Sequence, residues 1–523
     1  MKKKKLLISV LFIAVFLMIA SLALFFLVDL NSHKPRIETA LSNALGLHVK
    51  IKGTIGFLLF PNLNISIGDI KITGRESYIA SLEKVKFGLE LLPLLKGKVI
   101  IDDITIKRPE ISLVRFRNGE FNITQKIQKK RKEEEEEEKD TLPFAANNIS
   151  LSDGDIVYTD HKDETVTKMN GIDVAIINLL VKDTKPSQIH ELSFKGDIVY
   201  SDHKNEADTK LTAVDILIKD LLLRNTKKRS LIHDLSFKGR LNSKMITSHN
   251  QELSGLTFQM SAKEGLYNIK ELSTTLFSGQ GKGKVTFDVR GTTPTLKIQS
   301  TLSQFRLEEF LSIFSEVKNM EGAVDLSLNF SMQGSGMDEM KKTINGHTSM
   351  QGENLVISNY DIDTVLSKYS KSQNIGALDI GAFFLAGPVG TALTKGLDYE
   401  ELHRSTGARG GIMKKFVSDW KVEKGIATAE DVAIATRENR IAVKGKLNLV
   451  NKTYDNIIVA VIDQKGCAVL TQKISGPLNN PQFEKTSVLT SVAGSVISII
   501  GRAGKIIPGE QCEPFYKGSV QHP

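Results

Sequence analysis

Gly154-Asp155-Ile156-Val157-Tyr158-Thr159-Asp160-His161-Lys162 returns 42 residues later as Gly196-Asp197-Ile198-Val199-Tyr200-Ser201-Asp202-His203-Lys204. Ile189-His190-Glu191-Leu192-Ser193-Phe194-Lys195-Gly196 returns 43 residues later as Ile232-His233-Asp234-Leu235-Ser236-Phe237-Lys238-Gly239. One structural unit has been duplicated. Within it, Ile172, Val174 and Ile176 in one copy and Val214, Ile216 and Ile218 in the next alternate with other residues, the period of two that marks a strand with one apolar face. Such units build a stack of hairpins along one axis.

The same period extends in both directions. Upstream, Leu63, Ile65 and Ile67 alternate, and Ile70 and Ile72 resume on a shifted phase across Gly68 and Asp69, which fits a tight turn or a bulge. Val99 and Ile101, Ile104 and Ile106, and Ile111 and Leu113 carry it to Phe121. Downstream it runs through Val285, Phe287 and Val289, then Leu296 and Ile298, then Val324, Leu326, Leu328, Phe330 and Met332 before Gly334-Ser335-Gly336. Helical spacing interrupts it at Ile37, Ala40, Leu41, Ala44 and Leu45, with Pro35 in the opening turn and Gly46 at the exit. It does so again at Leu307, Phe310, Leu311 and Phe314, and at Ile362, Val365, Leu366 and Tyr369. An apolar segment at 487–507 reads as a cap on the strands or a buried element, with a membrane-surface position as the other reading.

The amino terminus carries a location signal. Lys2 to Lys5 precede 23 residues, Leu6 to Val28, without a charge, Pro or Gly. At about 1.5 Å per residue this run makes a helix of about 34 Å, enough to cross a bilayer's hydrocarbon core. A cleaved signal peptide is the competing reading, with Ala20, Ser21 and Ala23 near a cut, but its apolar region would be about 7 to 15 residues. The excess length favours an uncleaved single-pass anchor, with the lysines in the cytoplasm and the rest of the chain outside it.

The resulting expectation is a mainly β protein: a single N-terminal transmembrane helix, then many strands with a few short helices, whose continuous apolar face either closes on a second sheet as a sandwich or barrel or stays open as a long groove, alternatives that periodicity does not separate. Its divisions are an anchor at 1–30, a β region at 31–124, a charged linker at 125–140 and a repetitive β region at 141–340. A further region at 341–486 and an apolar helix and tail at 487–523 complete it. The linker holds six consecutive glutamates among basic residues, a solvated run in which no apolar face can form.

Composition narrows function. The chain has 523 residues, 41% of them apolar, which is enough to bury a core. Lys plus Arg (69) exceeds Asp plus Glu (60) by little, and the lysines are scattered rather than clustered with aromatics, which argues against nucleic acid. Two cysteines exclude a disulfide scaffold and a cysteine-rich metal cluster. Cys467 and Cys512 are either a disulfide or two separate thiols, and spacing does not decide between them. No HExxH, GxSxG, P-loop or GxGxxG motif is present, so no catalytic, metal or cofactor residues are assigned and an enzyme is not expected. His190-Glu191 begins like a zinc-protease motif, but Phe194 stands at the second ligand position. Gly279, Gly281 and Gly283 alternate along a strand and read as close packing. Asp160-His161 and Asp202-His203 read as turn chemistry.

Residues 35–122 resemble the amino-terminal region of the AsmA family of inner-membrane-anchored proteins in Gram-negative bacteria. The resemblance rests on the anchor, Ala44-Leu45-Gly46-Leu47, His48-Val49-Lys50-Ile51-Lys52-Gly53, Phe60-Pro61-Asn62-Leu63, Leu91-Leu92-Pro93-Leu94-Leu95, Pro109-Glu110-Ile111-Ser112-Leu113 and Asn118-Gly119-Glu120-Phe121-Asn122, in that order. Residues 415–486 resemble the family's carboxy-terminal module through Trp420, Gly425, Asp431, Thr436, Arg440, Gly445, Leu447 and Gly476-Pro477-Leu478 with Pro481, whereas the middle third matches in style alone. The family is similar to bridge-like lipid-transfer proteins, whose taco-shaped sheets hold acyl chains on a concave apolar face, so the resemblance implies the open alternative: an elongated, curved, taco-like antiparallel β-sheet groove with a few short helices. The resemblance implies a periplasmic protein that binds phospholipid acyl chains and supports lipid transport to, or homeostasis of, the outer membrane. Its partners would be the inner membrane, phospholipids and outer-membrane or periplasmic proteins. The alternative is a periplasmic scaffold for outer-membrane protein assembly, with its apolar faces closed as core.

The groove candidates are Val285, Phe287, Val289, Val324, Leu326, Leu328, Phe330 and Met332. About 450 exported residues at roughly 14 per strand and turn make about 30 strands. At about 4.8 Å each, these reach about 150 Å at most, which suits a partial conduit, a shuttle or a component needing a partner better than a lone span.

Overall fold

A computed structural model describes residues 30–58, 63–74, 78–90, 101–123, 144–181, 187–223, 231–248, 251–313, 320–358, 361–364, 366–367, 410–484, 487–488 and 512–523. The expected anchor, the charged linker at 125–140, Leu91 to Leu95 and nearly all of 487–507 lie outside these residues. Among the described residues no helix is long and apolar enough to cross a membrane. The chain divides into two units, Met1–Gly265 and Leu266–Pro523, a boundary that falls inside the repetitive region of 141–340.

In the first unit, a 3-10 turn at Leu30–His33 leads into α1, Lys34–Leu45, which Pro35 opens and Gly46 ends in a left-handed conformation (φ 69°). Strands β1 (His48–Ile51) and β2 (Ile55–Leu58) both pair with β3 (Leu63–Thr73). There follow β4 (Tyr78–Leu89), β5 (Ile101–Arg115), β6 (Phe144–Asp160), β7 (Thr165–Val181), β8 (Ser187–Asp202), β9 (Ala207–Leu223), α2 (Leu231–Asp234), β10 (Leu235–Ser248) and β11 (Gln251–Lys263). From β3 to β11 each strand pairs with the next in sequence.

The outer edge of this sheet is closed from its own chain. Glu38 accepts the Ile51 N–H at 2.7 Å, Ser42 the Val49 N–H at 2.9 Å, and Asn31 the Ile55 N–H at 3.0 Å, so the edge donors that would template another strand are satisfied. Ile37 and Leu41 of α1 pack on Val49, Ile51, Ile67 and their neighbours. The expected phase shift at Gly68-Asp69 is a bulge within β3, with Asp69 at φ 43°.

One pairing corrects the expected antiparallel sheet: β5 and β6 run parallel. Their connection, residues 116–143, is longer than the dozen or so residues a parallel crossover needs, whereas the short turns elsewhere force antiparallel neighbours. The duplicated segments fall on β6 and β8 and on the start of β8 and β10. Ile189-His190-Glu191 is strand while its copy Ile232-His233-Asp234 is a helical turn, so pairing overrides local sequence.

The second unit contains β12 (Leu266–Leu276), β13 (Gly279–Asp288), β14 (Thr295–Arg306), α3 (Leu307–Leu311), β15 (Met320–Glu321), β16 (Ala323–Gln333), α4 (Met337–Thr343) and β17 (Asn345–Ile357). It continues with β18 (Gly411–Glu423), β19 (Ile426–Ala435), β20 (Arg440–Asn448), β21 (Thr453–Ile462), β22 (Ala468–Pro477), β23 (Gln482–Phe483) and β24 (Ser487–Val488). All its pairings are antiparallel. Residues 362–364 and 366–367 are helical, as their spacing predicts, and Ile362 and Leu366 are buried; Val365 and Tyr369 lie outside the described residues.

This unit has a sealed core. Phe305, Leu307, Leu311, Val324, Leu355, Phe416, Ile441, Val459 and Ile474 belong to one buried cluster with Ile362 and Leu366. Asp363 fixes the helical turn over it by accepting from Thr436 Oγ1 at 2.5 Å, Asn439 Nδ2 at 2.7 Å and the Arg437 N–H at 3.1 Å. Cys467 and Cys512 form a disulfide, which resolves the open alternative and ties residues 512–523 to the opposite face of the sheet.

Candidate functional site

Antiparallel partners share a face, so the register shows which side chains stand together. In the first unit one row runs Leu151, Val174, Phe194, Ile216, Leu241, Phe258 across β6 to β11. A parallel row runs Ile156, Met169, Ile198, Leu211, Ile246, Leu253. The parallel ladder joins Ile106 to Leu151 and Ile111 to Ile156, extending both rows onto β5. No charge interrupts either row. The opposite face carries Ser152, Asp155, Lys168, Asp173, Lys195 and Asp215 among its residues, as a water-facing surface requires. The apolar residues of both rows on β6 to β11 are half-buried. Among the described residues, β6 to β9 pack chiefly against their ladder neighbours.

Between these rows the strands bend. Asp153, Gly171 and Ala213 take positive φ (53°, 56° and 48°), and the register shifts beside each. A bulge leaves an N–H outside the ladder, and here a carboxylate of the adjacent strand accepts it every time. Asp173 takes Asp153 N–H at 3.0 Å, Asp155 takes Gly171 N–H at 3.0 Å, and Asp197 takes Ala213 N–H at 2.7 Å. The repeated Gly-Asp is thus a bend device. Asp155 and Asp197 hold the bulges, and a Cβ on Gly154 or Gly196 would meet the Ile172 side chain at 3.2 Å or 2.7 Å.

Ile172 and Val214, at the bend, are 1% and 2% exposed, in contrast to the half-buried rows on either side. This is a trough with a closed floor and open walls. On β8, Leu192 and Tyr200 each stand four residues from Gly196, about 13 Å at about 3.3 Å per residue, close to the roughly 15 Å hydrocarbon depth of one leaflet. Tyr158 and Tyr200 sit at one rim, followed by the polar turns.

At that rim Asp160 is buried. Burial alone would raise its carboxyl pKa, but Arg115 at 3.0 Å, the Tyr158 hydroxyl at 2.8 Å and the N–H groups of Asp163 and Lys162 hold it well below the usual carboxylate range. Asp202 in the second copy accepts the N–H groups of Lys204 and Asn205. Both Asp-His pairs are therefore turns. His190 lies on a strand with Nδ1 3.3 Å from Asp220, and among the described residues no group of three or more His, Cys, Asp or Glu could hold a metal ion.

The eight groove candidates lie in the second unit, where the register aligns those it covers on one face. Val285 pairs with Ile298 and that with Phe330, Phe287 with Leu296 and that with Met332, Ser300 with Leu328, and Leu302 with Leu326. Six of the eight are half-buried. Val324 (0% exposed) belongs to the sealed core, and Val289, one residue past the end of β13, is 6% exposed. Gly279 and Gly281 lie close beneath Phe305 and Thr274, in keeping with close packing. The trough residues Phe194, Ile198 and Ile216 are not among the sequence candidates, although the duplicated alternation carries their signal; Phe258, on β11 beyond the duplicated segments, joins them through register alone.

A search of the curated proteins and a search of the solved structures each returned no match. The AsmA family profile matches residues 1–206 and again 201–386. The match includes the duplicated stretch, which corrects the expectation that the middle third resembles the family in style alone, and leaves 415–486 outside. With both matches spanning well over half of its length, the chain belongs to the AsmA family.

Proposed function

We propose that this protein holds phospholipid acyl chains against its apolar strand faces and supports lipid transport to, or homeostasis of, the outer membrane. The Leu6 to Val28 run anchors it in the inner membrane, with the amino terminus cytoplasmic and the strands in the periplasm. The observation that carries this reading is the charge-free, half-buried trough of β6 to β11. An apolar surface that the described residues leave half-buried is costly to expose to water, and an apolar ligand covering it offsets that cost. Its walls match an acyl layer in depth, and its polar rims suit headgroups left in water.

The test is mass spectrometry of the full chain extracted in mild detergent, beside a control single-pass protein. Phospholipid in excess of the control is expected, lost in the double variant Phe194→Asp, Ile198→Asp. Equal lipid in wild type, variant and control would refute the proposal. A second reading, a periplasmic scaffold acting through protein contacts, is favoured by the sealed core of β17 to β22, and it predicts that equal-lipid outcome together with crosslinked protein partners.

A further inference from the structure

The centre of the outward face of β18 to β21 is apolar too, and it is lined with small side chains. Val417, Ala433, Ala442 and Ala460 form one ladder row, and Ala435, Arg440 and Ile462 the next. A sheet face facing water would carry polar groups here; this one is covered by the chain's own residues 515–520, with Tyr516 and Val520 completing the cluster.

The contacts are specific. The Tyr516 hydroxyl donates to Asp431 and accepts the Val520 N–H at 3.1 Å, while Asp431 also accepts the Ser519 N–H at 2.9 Å. Arg440 donates to the Val520 carbonyl at 3.1 Å and to the Asp463 carbonyl at 2.6 Å, and its guanidinium lies 5.5 Å from the Tyr516 ring centroid. Lys444 stands 5.0 Å from the Phe515 ring, and the Tyr516 N–H donates to the Gly466 carbonyl at 3.0 Å. Two positions permit no side chain: a Cβ on Gly518 would strike Asp431 Oδ1, and one on Gly466 would strike the Tyr516 carbonyl. The Arg440 Nη atoms are spent on carbonyls, one of them in the tail.

We propose that this face is a peptide-docking cleft that reads a bent Phe-Tyr-x-Gly-Ser-Val segment, that residues 515–520 occupy it in cis, and that the Cys467–Cys512 disulfide keeps them there. The main chain already makes docking intramolecular, and the disulfide shortens that tether and so raises the effective concentration a free peptide must overcome. Reduction takes two electrons and two protons from a dithiol donor, leaves two thiols and converts the donor to its own disulfide. The tail then exchanges with the same segment supplied in trans, from a second copy of this chain in the first instance.

The test uses the full chain, oxidised or reduced with dithiothreitol, and a fluorescent peptide of residues 513–523. Reduced protein is expected to bind the peptide at least 10-fold more tightly than oxidised protein, and a Gly518→Ala peptide to lose at least 10-fold. Hydrogen exchange at residues 516–520 is expected to accelerate at least 10-fold on reduction while that of β8 is unchanged, a reading that needs no variant to fold. Equal peptide affinity in the two states, indifference to Gly518→Ala, or a tail equally protected when reduced would overturn the proposal and make the segment a permanent part of the sheet.

Discussion

The trough of β6 to β11 and the core of β17 to β22 are built from the same kind of strand, yet the walls of the one stay half-buried and the other closes to side chains such as Phe416, Ile441 and Val459 with no exposure. The difference lies on the far side of the sheet and in what crosses the near side. Across β6 to β9 the far face carries Ser152, Asp155, Lys168 and Lys195 beside a few apolar residues such as Val157 and Leu217, so polar groups face water there. In β18 to β21 both faces are apolar, and the strands read as runs such as Ile457-Ile458-Val459-Ala460-Val461-Ile462, the mark of burial on two sides. Leu307, Leu311, Ile362 and Leu366 complete the seal on one side and residues 515–520 on the other. An apolar face therefore becomes core only where other elements are supplied to cover it.

Placing a charge on each face breaks the comparison most forcefully. Val459→Asp should destabilise the second unit by about 4 kcal/mol or more, since a buried carboxylate has no partner there. Phe194→Asp in the trough should cost only about 1–2 kcal/mol, because water already reaches that side chain. Denaturant unfolding of the two variants checks both values. Cavity formation comes next: Leu355→Ala should cost about 2–5 kcal/mol, and Leu192→Ala about 1 kcal/mol. The bend itself is sharpened by Gly196→Val, which should cost about 1–3 kcal/mol, because its side chain would collide with Ile172 at a backbone φ of 153°. Asp197→Ala removes the acceptor of the Ala213 N–H at an exposed bulge and should cost about 0.5–1 kcal/mol, seen most clearly as faster amide exchange at Ala213.

The smallest effect expected is in pH dependence. The Asp160 carboxyl is held below its ordinary 3.8, so its ion pair stabilises the fold above that value and the contribution is lost as pH falls below it. Stability measured from about pH 5 to 3 should fall less steeply in Asp160→Asn than in the wild type.

Much of this fold was written in local pattern. Pro35 and Gly46 bound α1, the phase shift at Gly68-Asp69 is the β3 bulge, and the duplicated Gly-Asp segments mark two copies of one strand pair. Three features depended on distant partners and escaped the pattern. The parallel β5–β6 pairing rests on a crossover, the Cys467–Cys512 bond on the tail's return, and the bulge-holding role of Asp155 and Asp197 on a neighbouring strand's register. The expected groove residues lie on β13 and β16, where Val324 is already core, whereas the trough of β6 to β11 carries the same alternation on a face that stays half-buried; the alternation alone does not separate the two, because cover comes from distant elements.

The central claim is that the trough holds acyl chains, and face-selective photocrosslinking in living cells tests it most directly. A benzoylphenylalanine replacing Phe194 points into the trough, and the same residue at position 195, one step along β8, points to the polar face. Lipid adducts at position 194 and none at 195 are the predicted result; equal labelling at both positions, or none at either, would contradict the account.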